Sequence, residues 1–174
     1  MNNMIHERHE NPSAVSPLSS GETTGIYLET ISLIERLHRH FLEVVKSELD
    51  RLDIRDLNSV QALILFNIGE EELTVGELTN RGYYLGSNVS YNVKKMVENG
   101  YLLQERSKHD RRSVRVRLSD RGLHVCQVLS DMYAKQIAHL KQGTFEEPEL
   151  NSLNASLLKL ERFWSGVIDF GLRT

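Results

Sequence analysis

The sequence has one cysteine, Cys126, so it can form no internal disulfide and no paired-cysteine metal site. Its longest apolar runs, such as residues 60–66, are much shorter than the roughly eighteen residues that are needed to cross a bilayer. The first residues lack the basic start and the apolar stretch of a secretory signal. These absences predict a cytoplasmic protein that has no membrane partner.

The sequence also lacks the local patterns that mark common enzyme active sites. It contains no Gly-x-Ser-x-Gly turn, no phosphate-binding glycine loop and no Cys/His arrangement typical of covalent catalysis. Two histidine pairs are poor metal ligands, because His6 and His9 fall in a polar tail and His38 and His40 diverge on a predicted helix. The sequence therefore predicts no enzyme activity, no cofactor and no metal.

Positive charge is slightly outnumbered overall but concentrated in the middle of the chain. The net charge is -3, whereas residues 81–121 hold ten lysines and arginines against four acids, a local charge of +6. Within this segment, ERSKHDRRSVRVRL (105–118) carries six basic residues and two acids. Such an asymmetry indicates a polyanionic partner at one face. The alternative is a basic surface loop that is merely solvated.

Apolar residues at helical spacing predict a mainly α-helical protein behind a flexible polar tail at residues 1–23. The first helix is longer than a small domain needs for its own core, so its apolar stripe is expected to have a partner outside the protomer. The predicted helices cover about residues 24–53, 58–68, 74–81, 87–99, 119–141 and 147–170.

Capping residues support these boundaries. Gly69 is predicted to end the second helix, and Thr74 with Glu77 fits a capping box at the start of the third. Ser87 is predicted to cap the fourth helix, which Gly100 ends. The fourth helix is predicted to bury Val89, Val93, Met96 and Val97. The fifth is predicted to bury Leu123, Cys126, Leu129, Met132, Tyr133, Ile137 and Leu140.

After Gly100 the helical period gives way to alternation. In SVRVRL, Val114, Val116 and Leu118 fall on one face of a strand, and the preceding YLLQER supplies a second strand. The two strands and their charged loop predict a β-hairpin. The order of short helix, turn, short helix and hairpin is that of a winged helix-turn-helix, whose second helix can lie in a DNA major groove.

Two polar surfaces of this predicted domain are suited to DNA. The fourth helix carries short donors and acceptors for base edges and phosphates, and a basic hairpin tip can push an arginine into the minor groove. The alternatives are an ordinary polar helix face and a winged-helix module that binds an acidic protein surface without DNA specificity. The candidate DNA-binding residues are Ser87, Asn88, Ser90, Tyr91, Asn92, Lys94, Lys95, Arg106, Lys108, Arg111, Arg112 and Arg115.

The stretch SNVSYNVKKMVENGYLLQERSKHDRRSVRVRLSDRG (87–122) resembles the recognition helix and wing of MarR-type regulators. The shared pattern is Asp-x-Arg, a basic strand and a Thr/Ser-x-x-Gly helix start. The resemblance implies that Arg112 enters the minor groove, that Asp110 orients it and that the helix at 87–99 contacts the major groove. The turn SKHD departs from the family because it lacks the usual proline. The branch most similar is the alphaproteobacterial LdtR-like group, associated with cell-wall L,D-transpeptidase genes.

The resemblance also implies a domain organisation and partners. The first, fifth and sixth helices would form a homodimer that binds a pseudo-palindromic promoter site, with its recognition helices roughly 10 base pairs apart. A small phenolic or other apolar effector is expected in a pocket whose candidate lining is His38, Phe41, Leu42 and Met132. The expected regions are a tail at 1–23, a dimerisation helix at 24–56, a winged helix lobe at 57–120 and C-terminal dimerisation helices at 121–174.

Three further side chains receive structural rather than chemical predictions. Cys126 falls on the apolar stripe of the fifth helix, so a buried and inert thiol is favoured over a redox sensor. Phe163 and Trp164, late in the last helix, are expected in the dimer core.

Overall fold

A computed structural model describes residues 20–80, 86–106, 114–143 and 145–171. These residues form six helices and three short strands, which confirms the prediction of a mainly α-helical fold with a small β wing. The elements are α1 (Ser20–Arg51), α2 (Ser59–Ile68), β1 (Leu73–Thr74), α3 (Val75–Asn80), α4 (Gly86–Glu98), β2 (Leu102–Arg106), β3 (Val114–Leu118), α5 (Asp120–Leu140) and α6 (Glu147–Phe170). No helix in this part of the chain is long and apolar enough to cross a membrane.

The chain divides into two compact units, residues 1–43 and 44–174. In the first unit, the described residues all belong to α1 and most of their side chains are exposed. Helix α1 begins at Ser20, four residues before its predicted start, and Glu22 lies in its first turn. A negative charge is favourable there because it faces the positive end of the helix dipole.

The core of the second unit lies between α2, α4, the sheet and α5. Helix α2 is buried on most sides, as its apolar sequence predicts, with Ala62, Ile64, Leu65 and Ile68 almost inaccessible to solvent. The largest fully buried side chain of the described residues is Tyr101, at the start of the wing. The winged helix elements therefore share one hydrophobic core with the end of α1 and with α5.

Local capping fixes the ends of the helices that form this lobe. The Thr74 hydroxyl accepts from the Glu77 N–H at 3.1 Å and the Glu77 carboxylate accepts from the Thr74 N–H, which confirms the predicted capping box. Helix α4 begins at Gly86, so Ser87 lies inside its first turn and is not its cap as predicted. At the other end Gly100 has a φ of 75° and donates to the Val97 carbonyl at 3.0 Å. Gly100 therefore ends α4 in the left-handed conformation that favours glycine.

The sheet has the strand order β1-β3-β2 and is antiparallel throughout. Strands β2 and β3 are the predicted hairpin, with Leu102 opposite Leu118 and Arg106 opposite Val114. Strand β1 was not predicted, because two residues are too few to show an alternating pattern. It pairs Leu73 with Val116 and so adds a third strand to the wing.

The buried face of α5 differs from the predicted stripe. Leu129 and Met132 are buried as predicted, but Leu123 and Ile137 are about half exposed, and Val125 and Val128 are buried instead. The reason is a close approach at Gly122, where a Cβ atom would lie 2.3 Å from the Tyr101 carbonyl oxygen. This contact turns the face of Gly122, Val125, Leu129 and Met132 to the core, since these residues follow one another at helical spacing. Cys126 is consequently only partly buried.

Candidate nucleic-acid interface

Helix α4 presents a polar face to solvent. Val89, Val93 and Met96 are buried at 1%, 4% and 0% exposure, as predicted, and Val97 packs partly against them. Among residues 88–98 of the helix, the exposed ones are Asn88, Ser90, Tyr91, Lys94, Lys95 and Glu98. Tyr91 is 63% exposed, an unusual position for an aromatic side chain. The face offers amide, hydroxyl, phenol and ammonium groups at the spacing of a helix surface.

The two lysines of this face share an acidic neighbour. Lys95 Nζ lies 2.9 Å from a Glu98 carboxylate oxygen, and Lys94 Nζ lies 4.0 Å from the other. The hydrogen bond with Glu98 raises the pKa of Lys95 and lowers the pKa of Glu98. Ion pairs this exposed are weak and exchange readily, so both ammonium groups remain able to contact a phosphate.

Asn92 differs from the other predicted contacts of α4, because its amide is already engaged within the protein. Its Nδ2 donates to the Asn88 carbonyl at 2.9 Å, and its Oδ1 accepts from Gln61 Nε2 at 3.2 Å. Gln61 is buried and belongs to α2. Asn92 therefore lies at the contact between α2 and α4, and its predicted contact with DNA stays a prediction.

The wing carries basic residues on its strands, and those of β3 alternate with residues that face the core. Arg115 is partly buried, and its Nη1 lies 3.5 Å from the Glu72 carbonyl oxygen. Arg117, which was not among the predicted contacts, is exposed, and its Nη2 lies 3.6 Å from Glu105 Oε1. Arg106 is the last residue of β2. The remaining predicted wing contacts, Lys108, Asp110, Arg111 and Arg112, lie outside the described residues.

A polar cluster at the base of the wing was not predicted from the sequence. We define the Asp56 cluster as Asp56, Asn99, Tyr101 and Arg121. The Asp56 carboxylate accepts from the Tyr101 hydroxyl at 2.7 Å and from Arg121 Nη2 at 3.0 Å on both oxygens. Its backbone carbonyl accepts from Asn99 Nδ2 at 2.8 Å. Three segments of the chain, separated by up to 65 residues, thus meet at one aspartate.

Arg121 makes several contacts in this cluster. Besides Asp56, its Nη1 donates to the Asn99 carbonyl at 2.7 Å, and its guanidinium carbon lies 4.2 Å from the centre of the Tyr101 ring. Burial alone would raise the pKa of Asp56, but the hydrogen bond from Tyr101 and the charge of Arg121 lower that pKa overall. Burial and the bond to Asp56 raise the pKa of Tyr101 to about 12. No sequence pattern indicates these contacts, because they join residues far apart along the chain.

The four predicted effector-pocket residues have different environments. In the first unit His38 and Phe41 are exposed and Leu42 is partly exposed, whereas in the second unit Met132 is buried. The second unit also contains an open cavity of about 590 Å³ between the end of α1 and the start of α2. The lining of this cavity includes Lys46, Leu49, Asp50, Asp56 and Gln61, and none of the four predicted residues.

Comparisons with known proteins agree with this architecture. A family model described as "Winged helix DNA-binding domain" matches residues 57–122. The chain is 35% identical over 146 residues to the exopolysaccharide II synthesis transcriptional activator ExpG of Rhizobium meliloti (strain 1021), covering 84% of this chain and 75% of ExpG.

Solved structures share the fold at lower sequence identity. Streptococcus pneumoniae FabT in complex with DNA matches with a TM-score of 0.67 and 17% identity, covering 81% of this chain and 99% of FabT. A MarR transcriptional regulator from Methanosarcina mazei Go1 matches with a TM-score of 0.64 and 19% identity, covering 79% of this chain and 98% of that protein.

Proposed function

This chain belongs to a family of winged helix transcriptional regulators that includes ExpG, and on that premise we propose that it is a MarR-type homodimer that binds specific pseudo-palindromic promoter sites. The observation that carries the proposal is the outward face of α4, where Asn88, Tyr91 and Lys94 stand exposed above a fully buried apolar face. A helix that is polar on its outer face and apolar on its inner face can enter a major groove while its apolar residues stay packed against the protein core.

The proposed contacts with DNA are divided between helix α4 and the wing. Helix α4 is the recognition helix, which contacts base edges through Asn88, Ser90 and Tyr91 and phosphates through Lys94 and Lys95. The wing contacts the adjacent minor groove through Arg112, which Asp110 orients. The local charge of +6 over residues 81–121 supports this assignment, since the rest of the chain is acidic and would be repelled by DNA.

Exposed apolar side chains on α6 support the proposed homodimer. No residue of this helix is buried in the single chain, and Phe163, Ile168 and Phe170 are 50%, 82% and 72% exposed. Leu153, Leu157 and Leu158 are also about half exposed. Apolar surface of this extent is rarely left in contact with water, so a second copy of the chain is its proposed partner.

A small apolar or phenolic effector is proposed to modulate DNA binding, with His38, Phe41, Leu42 and Met132 as its candidate contacts. It would act by stabilising one spacing of the two DNA-binding lobes over others, which changes the fraction of dimers able to fit the site. The target genes are proposed to serve the cell envelope or a stress response. The name of the relative ExpG, an activator of exopolysaccharide II synthesis, supports an envelope target, and the LdtR-like branch stays a prediction.

The proposal is tested by selecting fragments of genomic DNA that the purified protein binds. We expect enrichment of a small set of pseudo-palindromic fragments bound by a dimer. If each protomer neutralises about four phosphates, the logarithm of the affinity should fall with the logarithm of the salt concentration at a slope of roughly -7. A monomer that enriches no fragment and shows a slope near zero would contradict the proposal and favour a protein-interaction module.

A pair of variants localises the interaction. Arg112→Gln removes the proposed minor-groove contact and should weaken binding to the selected fragment at least tenfold, on the order of what one lost specific contact costs. Lys141→Gln makes the same change of charge at an exposed residue after α5 and serves as the matched control. Equal affinities for the two variants would show that the wing is not the contact surface.

A further inference from the structure

The Asp56 cluster joins the two elements that are proposed to contact DNA. Asn99 follows the last residue of α4, Tyr101 precedes β2, and Arg121 lies in the first turn of α5, three residues after β3 ends. Asp56 itself lies between α1 and α2. One carboxylate therefore receives hydrogen bonds from both ends of the wing, while its backbone carbonyl receives one from the end of the proposed recognition helix.

Neighbouring contacts restrict the same junction. The Ser119 hydroxyl donates to the Gly100 carbonyl at 2.6 Å, and the Ser119 N–H donates to the Tyr101 carbonyl at 3.1 Å. The close approach at Gly122 leaves no room for a side chain against Tyr101. The end of α4 and the two ends of the wing are thus held together by directional contacts as well as by apolar packing.

Stability alone is a weak explanation for this arrangement. The Asp56 and Arg121 side chains are 43% and 51% exposed, and ion pairs at such exposure contribute little to the free energy of unfolding. Hydrogen bonds from Asn99, Tyr101 and Arg121 to one residue do, however, fix the relative orientation of the three segments that they join, because each bond has a preferred direction. Arg121 already donates to the Asp56 carboxylate and to the Asn99 carbonyl, so a contact with a phosphate would compete with these hydrogen bonds.

Orientation matters because the recognition helix and the wing are proposed to occupy different grooves. Both engage at once only if the angle between them matches the duplex, and the second contact is then made at high effective concentration. We infer that Asp56, Tyr101 and Arg121 form a positioning cluster that sets this angle, and so controls specific DNA binding without touching DNA. The inference rests on the proposed function of DNA binding.

The test compares Asp56→Asn with Asp53→Asn. Both substitutions turn an acid into an amide within the same connection, and the exposed Asp53 carboxylate pairs with the exposed Arg55 at 2.7 Å. Asp53 has a φ of 59°, a conformation that asparagine tolerates well. Affinity is measured for the genomic fragment selected by the wild type and for a random duplex of equal length, together with the midpoint of thermal unfolding.

We expect Asp56→Asn to weaken binding to the selected fragment roughly tenfold. This loss is small compared with the usual difference in affinity between specific and non-specific binding. Binding to the random duplex should stay equal or become slightly tighter, because it depends on phosphate contacts and the variant has lost one negative charge. Asp53→Asn should leave the ratio of the two affinities unchanged. An unchanged ratio in Asp56→Asn, or an equal loss on both duplexes, overturns the inference.

Two further variants keep the test decisive. Tyr101→Phe removes only the hydroxyl that Asp56 accepts from and keeps the buried ring, so it should lower the same ratio with little risk to folding. The double variant Asp56→Asn with Arg121→Gln should bind no worse than the weaker of its two parents, since both act through one contact. Additive losses overturn the inference.

A wild type that selects no fragment contradicts the proposed function itself, whereas normal wild-type binding with an unaffected Asp56→Asn contradicts the positioning cluster alone.

Discussion

The side-chain amide of Gln61 donates a hydrogen bond to the amide oxygen of Asn92 at 3.2 Å and so joins helix α2 to helix α4. Gln61 Oε1 also accepts from the Asn58 N–H at 3.0 Å, while the Gln61 N–H donates to Asn58 Oδ1 at 2.9 Å. One side chain, only 6% exposed, therefore closes the capping box of α2 and positions the proposed recognition helix.

Replacing Gln61 by alanine should destabilise the protein by about 1–3 kcal/mol, because the Asn58 N–H and the Asn92 amide oxygen lose their partner in a partly buried site. The free energy of unfolding in urea measures the loss. Gln127→Ala, at an exposed residue whose amide pairs with Asp131 on α5, is the control and should change it by less than about 0.5 kcal/mol. Equal effects of the two substitutions would show that the contact has no energetic role.

The same contact shows what sequence patterns can and cannot predict. The spacing of Val89, Val93 and Met96 predicts the buried face of α4 correctly, because burial of one face imposes a period on the helix itself. Asn92 was grouped with the outward residues because asparagine is polar. Its partner Gln61 lies 31 residues away, and no local period relates the two.

Elsewhere in the fold, too, sequence patterns predict local features and miss contacts between residues far apart along the chain. The hairpin of β2 and β3 was predicted because β3 alternates over five residues, whereas β1 has only two. The face of α5 was predicted correctly at Leu129 and Met132 but wrongly at Leu123 and Ile137, because the decisive contact, between Gly122 and the Tyr101 carbonyl, is a tertiary one. Asp56 and Arg121 could not be paired in advance for the same reason, since charge alone gives each of them many equivalent partners.

Gly122→Ala should be strongly destabilising. Its Cβ atom would lie 2.3 Å from the Tyr101 carbonyl oxygen and 3.2 Å from Leu118 Cδ2, so backbone must move to admit it. We expect a loss of about 1–3 kcal/mol, the usual cost of an overpacked site, although alanine favours helix formation. Gly76→Ala is the matched control, because its nearest neighbour, Thr74 Oγ1, would be 3.8 Å away and it should cost nothing. The midpoint of thermal unfolding is measured for both variants. A Gly122→Ala midpoint equal to that of the wild type contradicts the close contact.

Cys126 should react slowly with alkylating reagents. Burial raises the pKa of its thiol to about 11, so about one molecule in a thousand carries the reactive thiolate at pH 8. The rate of reaction with iodoacetamide should be roughly a hundredfold lower than that of a free cysteine of ordinary pKa, and should rise with pH up to about 11. Glutathione under the same conditions is the reference. A rate close to that of glutathione at pH 8 would reopen the hypothesis of a redox sensor.

The contribution of Asp56 to stability should be lost in acid. Its pKa in the folded protein lies below the ordinary value of 3.8, so the folded state binds its proton less readily than the unfolded chain does. Its stabilising effect is therefore fully present above pH 3.8 and disappears as the pH falls through the lower folded pKa. The difference in Tm between the wild type and Asp56→Asn should be largest near neutral pH and should shrink below pH 3.8. A difference that stays constant through the acid range contradicts this role of the carboxylate.

Tyr91→Ala and Lys94→Gln should weaken DNA binding in different ways. The exposed Tyr91 is proposed to contact base edges, so its loss should cost about 1–3 kcal/mol on the selected fragment, relax the preference for that sequence and leave the salt dependence unchanged. Lys94 is proposed to contact a phosphate, so Lys94→Gln should weaken binding to every duplex. It should also reduce the steepness of the salt dependence by roughly 2 for the two protomers.

Affinities measured at several salt concentrations, on the selected fragment and on a random duplex, separate these effects. Unequal salt slopes for the two variants support a recognition helix whose outward face divides base contacts from phosphate contacts. If Tyr91→Ala instead changes the slope and Lys94→Gln changes only the sequence preference, α4 does not lie in the groove as proposed. The distinction depends on charge, because only the loss of a cation alters the number of counterions that the duplex releases on binding.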